Sequence, residues 1–311
     1  MPPFTQLALT LAAGVLLDRL IGEPRRYHPL VGFGRLAGAL ERRLNRPAFG
    51  IARGALAWSL AVLPLVLIAL WLRQQGGGVA LATDAILLWF ALGARSLVEH
   101  AQAVATPLQA GDLAEARRRV GWIVSRDTAA LTPAQVAAAG TESVLENGND
   151  AIFGTLFWFL VGGGPGTLLF RLANTLDAMW GYRTERYLHF GRLAARIDDV
   201  LGWLPARLTA LSYALLGHTR SALHSWRHQA PAWKSPNAGP VMAAGAGALQ
   251  VQLGGEAPYH GQMTQRPALG TGAAPDAASL VAAIALVRRA LVLWVALALL
   301  AGGLVWGLAH A

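Results

Sequence analysis

The chain has 311 residues, 54% of them apolar and only 14% charged, with a mean hydropathy of +0.42 and no cysteine. Soluble domains carry about 45–50% apolar and about 25% charged residues, so this charge deficit excludes a disordered chain and argues against an ordinary soluble enzyme. Without cysteine there is no disulfide framework, thiolate nucleophile, Cys-ligated zinc or iron–sulfur cluster. The formal charge of +9 is carried by 25 Arg and a single lysine, Lys234. Arginines flanking membrane segments account for it better than nucleic acid does, and no nucleic-acid module is recognisable.

A transmembrane helix needs about 20 apolar residues. Residues 4–20 are apolar until Asp18-Arg19 stops them, and they lack the charged start and cleavage site of a signal peptide. Residues 51–72 and 290–308 are predicted spans, the second led by Arg288-Arg289, and 79–98 spans if Asp84 and Arg95 lie at the interfaces. Two segments are ambiguous. Residues 152–172 are broken by Gly162-Gly163-Gly164-Pro165-Gly166, and 200–217 contain Pro205 and Arg207. A break within hydrocarbon requires a protein-lined environment, so 152–172 reads as a re-entrant hairpin and 200–217 as interfacial. The 18–50 loop holds seven Arg against Asp18, Glu23 and Glu41, which places it in the cytoplasm. Parity then makes every long polar loop cytoplasmic if neither ambiguous segment crosses. The predicted class is all-α: a multi-pass integral protein of the inner membrane, one domain over 1–311, with helical, motif-bearing cytoplasmic loops.

Within 113–148 two helices are predicted. Asp112 and Glu115 open one over 113–124, and Thr132-Pro133 opens another over 133–147, closed by Asn147-Gly148. Between them lies Ser125-Arg126-Asp127-Thr128. Glu142 and Glu146 stand four apart on one helix face near its negative end, and Asp150 follows. Like charges there repel, each count worth about 0.3–1 kcal/mol. Either an arginine such as Arg126 sits over them, a divalent cation such as Mg²⁺ binds them, or the face is simply solvated.

The stretch Asn174 to Tyr187 is dense in ligand-binding side chains: Asn174, Asp177, Tyr182, Arg183 and Arg186. Its guanidiniums suit phosphate or carboxylate, although Tyr182, Arg183 and Arg186 also suit a membrane interface. Asp198-Asp199 reads as an N-cap. Two further loops stand out: Gly22-Glu23-Pro24…His28-Pro29, a proline-pinned turn with a lone His28, and Ser235-Pro236-Asn237-Ala238-Gly239, a helix start offering N–H groups to an anion. There is no P-loop, since Trp233 precedes Lys234-Ser235, and a single lysine argues against lysine-clamped nucleotide.

Together these blocks resemble, in order and over roughly residues 14–262, the CobD/CbiB family of adenosylcobinamide-phosphate synthases. They are Leu17-Asp18-Arg19-Leu20-Ile21-Gly22-Glu23-Pro24…His28-Pro29, Ala94-Arg95-Ser96-Leu97…His100, Ser125–Thr128, Glu142-Ser143…Glu146-Asn147…Asp150, Asn174–Tyr187, Asp198-Asp199…Pro205 and Ser235–Gly239. Ser125 and Gly148-Asn149 depart from the family's usual residues without removing a charge. The resemblance implies an ATP-dependent amide ligase of cobalamin biosynthesis, joining (R)-1-aminopropan-2-ol phosphate to the corrinoid adenosylcobyric acid. Implied partners are those substrates, the lipid bilayer and other late cobalamin-assembly enzymes. Under that resemblance residue chemistry suggests Mg²⁺ on Glu142, Glu146 and Asp150, charge stabilisation by Arg126, and Asp127 or Asp177 as base. Phosphate then falls to Arg183 and Arg186, with Asn174, Tyr182, Ser235, Asn237 and His28 as further substrate contacts. AmpE-like sensors share the Arg-Asp-Thr and Glu-Asn blocks and are the nearest rival reading; a small-molecule transporter is the other.

Overall fold

The computed structural model describes residues 2–23, 28–46, 48–259 and 261–311. Pro24, Arg25 and Arg26 of the proline-pinned turn lie outside them. In chain order the helices begin α1 (Pro3–Ile21), α2 (Pro29–Leu44), α3 (Gly50–Gln74), α4 (Gly77–Ala91), α5 (Ala94–Gln109) and α6 (Leu113–Val120). Then come α7 (Pro133–Gly148), a π-helical turn (Asn149–Phe153), α8 (Gly154–Trp180), α9 (Arg192–Leu216), α10 (Thr219–Gln229) and α11 (Ala238–Leu249). Strands β1 (Leu253–Tyr259) and β2 (Gln262–Leu269) and helix α12 (Ala277–Leu308) complete the chain. The class is all-α, as predicted, apart from this one antiparallel hairpin.

The described chain packs as two compact units: Met1–Gly93 with Gly154–Gly202 and Leu297–Ala311, and Ala94–Phe153 with Trp203–Ala296. Among the described residues five helical runs are long and apolar enough to cross a membrane: Pro3–Ile21, Gly50–Gln74, Gly77–Gln109, Pro133–Trp180 and Ala277–Leu308. Residues 200–217 are not among them. The predicted 79–98 span is interrupted, because Leu92 is extended and the helix restarts at Ala94.

In the first unit α3 packs on α8 through small side chains, Ala57 and Ala61 meeting a cluster with Leu172, Ala173 and Leu176. Small residues let apolar helices approach closely where lipid supplies no hydrophobic driving force. Gly54 shows the same requirement, since a Cβ there would stand 1.9 Å from the Phe190 carbonyl oxygen.

The Gly-Pro-rich break in α8 is a sharp reversal at Gly163, with φ of +62°. The Thr167 hydroxyl donates to the Thr155 carbonyl at 3.5 Å, a pair 12 residues apart. On a straight helix these residues would be about 18 Å apart, so the two halves fold back as a helical hairpin. Buried Asp84 of α4 holds the turn: it accepts the Gly164 N–H at 2.7 Å and pairs with Arg73 at 3.0 Å. The Gly164 N–H freed by the break is thereby satisfied within protein. The break expected within 152–172 is thus present, as a hairpin turn.

In the second unit α11 is a buried small-residue helix packed on α10, where a Cβ at Gly247 would stand 2.6 Å from the Ser221 carbonyl oxygen. Helix α7 starts as predicted, with a reciprocal capping box between Thr132 and Gln135. Its predicted end is not realised. Asn147-Gly148 does not close the helix, which runs through the π turn into α8. Gly148 instead gives room for Tyr213, whose hydroxyl donates to the Leu145 carbonyl at 3.1 Å. Asp112 caps α6 through the Glu115 N–H at 3.0 Å, but that helix stops at Val120 rather than Val124.

Candidate functional site

The second unit holds a cavity of about 470 Å³. One wall is a single face of α7, bearing Ala139, Glu142, Ser143, Glu146 and Asn147 at helical spacing. The loop after α6 supplies Ser125 and Arg126, the turn before α11 supplies Trp233 and Lys234, and β2 supplies Gln265 and Arg266.

Glu142 organises this wall. Its carboxylate accepts from Arg126, from Arg266 at 2.8 and 3.1 Å, and from the Gly254 N–H at 2.9 Å. The side chains of Glu142, Arg126 and Arg266 are 3%, 9% and 12% exposed, so the three charges are nearly out of water. A buried carboxylate is tolerated when paired and fully hydrogen-bonded, and both conditions are met. Of the alternatives left open by the sequence, the arginine cover is the one found for Glu142.

Among the described residues no three acidic or histidine side chains group as a metal site. Two guanidiniums and a backbone N–H already occupy Glu142, while Asp150 accepts from the Asn149 amide at 2.9 Å. The three-carboxylate Mg²⁺ site expected on Glu142, Glu146 and Asp150 is therefore not assembled. Glu146 lines the cavity within electrostatic range of Asp150, Glu142, Arg126 and Arg266.

Asp127 is exposed and ties down the hairpin: its carboxylate accepts the Gly261 N–H at 2.8 Å, and its own N–H donates to the Pro258 carbonyl at 3.0 Å. The N–H groups expected to face an anion at the start of α11 are consumed locally. Ser235 Oγ accepts from Asn237 at 3.3 Å and from Ala238 at 3.1 Å. Buried Asn237 accepts from Arg207 at 2.9 Å.

The remaining predicted residues belong to the first unit. Arg186 forms a two-pronged pair with Glu41 of α2, at 3.0 and 2.7 Å, and Asn45 also donates to Glu41 at 2.8 Å. These hydrogen bonds, the one from Arg186 foremost, hold the Glu41 carboxyl below its ordinary range against the opposing effect of burial. Asn174 donates to Asp198 at 3.3 Å. Asp198 and Asp199 lie inside α9, not at its cap, because the helix already begins at Arg192. Burial pushes the Asp199 carboxyl up, and the charge of Arg183 opposes it. Asp177 lies in the last turn of α8, where its carbonyl accepts the Gly181 N–H at 2.7 Å, and Tyr182 is exposed. His28 caps α2, its Nδ1 accepting the Leu30 N–H at 3.2 Å, which is the structural role a lone histidine most often has.

Arg266, Trp233 and Gln265 are absent from the sequence-derived set, and Lys234 was set aside there. The available signal was an alternating polar run punctuated by Gly254-Gly255 and Gly261, which marks a hairpin.

A helical membrane protein with a charged cavity, walled by a paired carboxylate and two arginines, is the class these features define. The chain belongs to the CobD/Cbib family, whose model, described as CobD/Cbib protein, matches residues 11–287. A relative from Chromobacterium violaceum is 56% identical over 311 residues, 98% of this chain and 99% of its own. One from Stutzerimonas stutzeri is 58% identical over 297 residues, 95% and 97% of the two chains. A third, from Mycobacterium tuberculosis, is 39% identical over 289 residues, 90% and 91% of the two. All three are named cobalamin biosynthesis protein CobD. No solved structure matches the chain.

Proposed function

We infer that the protein acts in cobalamin biosynthesis as an ATP-dependent amide ligase, joining (R)-1-aminopropan-2-ol phosphate to adenosylcobyric acid to give adenosylcobinamide phosphate. Family membership supports the pathway. The observation that carries the chemistry is the pair of guanidiniums, Arg126 and Arg266, fixed by Glu142 in the cavity wall. The cavity volume falls in the range of small-molecule sites, about 300–1,000 Å³. Making an amide from a carboxylate requires converting its oxygen into a leaving group, and ATP supplies the phosphoryl group for this. The carboxylate oxygen bonds to the γ-phosphorus as ADP departs. The amine nitrogen then bonds to the carbonyl carbon as the C–O bond to phosphate breaks and nitrogen sheds a proton.

Arg126 and Arg266 place preorganised positive charge where the transferring phosphoryl group develops negative charge, an effect worth about 3–4 kcal/mol per donor in acyl-transfer sites. Arginine and lysine charge suits this role in a chain without a P-loop. The motif-bearing loops face the cytoplasm of the inner membrane in this reading, where ATP is available.

Membranes containing the protein, supplied with adenosylcobyric acid, the amine phosphate and ATP, should yield adenosylcobinamide phosphate by mass spectrometry. Arg126→Met should reduce kcat at least a hundredfold. Absence of ATP-dependent product from the wild-type protein would sink the reading.

A further inference from the structure

Two strands alone are marginal in water, so a hairpin that carries a cavity residue has to be fixed from outside. The β1–β2 hairpin carries Arg266 and is held at its base, its middle and its far end. At the base Leu253 and Leu269 pair and are both buried, and the Gly270 backbone exchanges hydrogen bonds with the Gln229 amide at 2.6 and 3.2 Å. In the middle the Arg266 guanidinium reaches Glu142 beside that of Arg126. At the far end the Gly261 N–H donates to the Asp127 carboxylate at 2.8 Å, and the Asp127 N–H donates to the Pro258 carbonyl at 3.0 Å. Gly254 and Gly270 stand on opposite strands of the base at φ of +79° and +81°, which makes the base a pivot. Arg266 is four residues from Gly270 and Gly261 is nine, or about 13 and 30 Å along a strand. A swing of about 2 Å at the far end would therefore carry Arg266 by about 1 Å, and a misplacement of that size in a catalytic site costs up to about a hundredfold in rate.

We propose that Asp127 is a positioning residue: by latching the far end of the hairpin it holds Arg266, and with it the Arg126–Glu142–Arg266 group, at the geometry the reaction needs. Neighbours in sequence divide the work, Arg126 facing the cavity and Asp127 the hairpin. This replaces the role of base expected for Asp127, since its carboxylate is turned to a backbone N–H of the hairpin and its own N–H to a hairpin carbonyl. Water competes for an exposed acceptor, so these two bonds contribute little to global stability, and their effect is one of placement. The proposal rests on the ligase reading above.

The test uses detergent-solubilised full-length protein. Met263 is 59% exposed and pairs with Pro258 beside the latch, and Met263→Cys gives a chain without other cysteines a unique site for a nitroxide label. With Asp127 intact, and in Asp127→Asn, which keeps an acceptor oxygen, the electron paramagnetic resonance spectrum should be that of an ordered label. Asp127→Ala should add a mobile component. In turnover Asp127→Ala should lower kcat about tenfold to a hundredfold with the KM of each substrate within about twofold, because a misplaced Arg266 is lost to the transition state rather than to binding. Asp127→Asn should recover most of that loss and leave the pH profile of kcat unchanged. A base behaves in the opposite way, so Asp127→Asn as inactive as Asp127→Ala, over an ordered label in both, would overturn the proposal. A mobile label in Asp127→Ala with unchanged kcat would overturn it too. The label reports the latch without turnover: wild-type protein that gives no ATP-dependent product would sink the ligase reading, whereas product together with an ordered label in Asp127→Ala would sink the latch alone.

Discussion

Glu142→Gln tests whether one carboxylate organises the cavity wall. The native side chain accepts four hydrogen bonds, one from Arg126, two from Arg266 and one from the Gly254 N–H. Glutamine keeps one acceptor oxygen and turns an NH₂ toward two guanidiniums that are 9% and 12% exposed. Removing one member of a buried ion pair costs about 3–5 kcal/mol, chiefly because the charges left behind are no longer compensated. At about 2–4 °C per kcal/mol for a body of 150–250 residues, the melting temperature in detergent should fall on the order of 10 °C. The double variant Glu142→Gln with Arg266→Gln should recover part of that loss, because one stranded charge is removed with its partner. Its coupling energy should lie within about 0.5–3 kcal/mol, as for residues sharing a network. Differential scanning fluorimetry on purified protein measures all four corners of the cycle. A melting temperature within 2 °C of wild type for Glu142→Gln, or strict additivity in the cycle, would refute the argument.

Gly163→Ala should destabilise the protein by at least about 1–2 kcal/mol, since a side chain is disfavoured at its φ of +62° and its Cβ would stand 2.6 Å from Arg73 Nε. Gly162→Ala, with open space around it, is the control in the same thermal assay. For Glu41, whose carboxyl is held below its ordinary range, the stabilisation is complete above the unfolded value of about 4.3 and disappears as pH falls through the lower folded value. Arg186→Met should therefore unfold at higher pH than wild type in an acid titration followed by tryptophan fluorescence; coincident curves would count against the pairing. Because the chain has no cysteine, Thr184→Cys creates a unique label site. A membrane-impermeant maleimide should modify it only after the membrane is opened, and labelling of intact cells would reverse the assigned side.

Local signals in the sequence were readable where a few neighbouring residues decide the structure. Thr132-Pro133 and Asp112 start helices because their side chains satisfy N–H groups within three residues. The reversal at Gly163 follows from glycine's access to positive φ, but the group that satisfies it, Asp84, is 80 residues away and no local pattern points there. The end of α7 was misread for a related reason. Asn147-Gly148 is a strong stop signal, yet Tyr213 packs against Gly148, and the chain continues through a π turn whose Asn149 accepts from Thr209 at 3.0 Å. Acidic crowding on α7 correctly announced that something must cover Glu142. It did not identify Arg266, which lies 124 residues away on a hairpin marked locally only by a short polar run and its glycines.

The opening arithmetic of few charges and abundant arginine constrains where function resides. In a chain this apolar a buried charge is stable only with a partner, and the structure matches Asp84 with Arg73, Glu41 with Arg186, and Glu142 with Arg126 and Arg266. The one-to-one pairs of Arg73 and Arg186 fix structure and leave little affinity for a ligand, whereas Arg126 and Arg266 share a single carboxylate and leave net positive charge on the cavity wall. Arg186 illustrates the first case, being placed in a motif rich in ligand-binding side chains yet closed on Glu41 at 2.7 Å. The lone lysine reverses the inference from composition. Its scarcity argues against a lysine-clamped nucleotide loop, yet it lines the cavity walled by Arg126 and Arg266 and adds to the positive charge there.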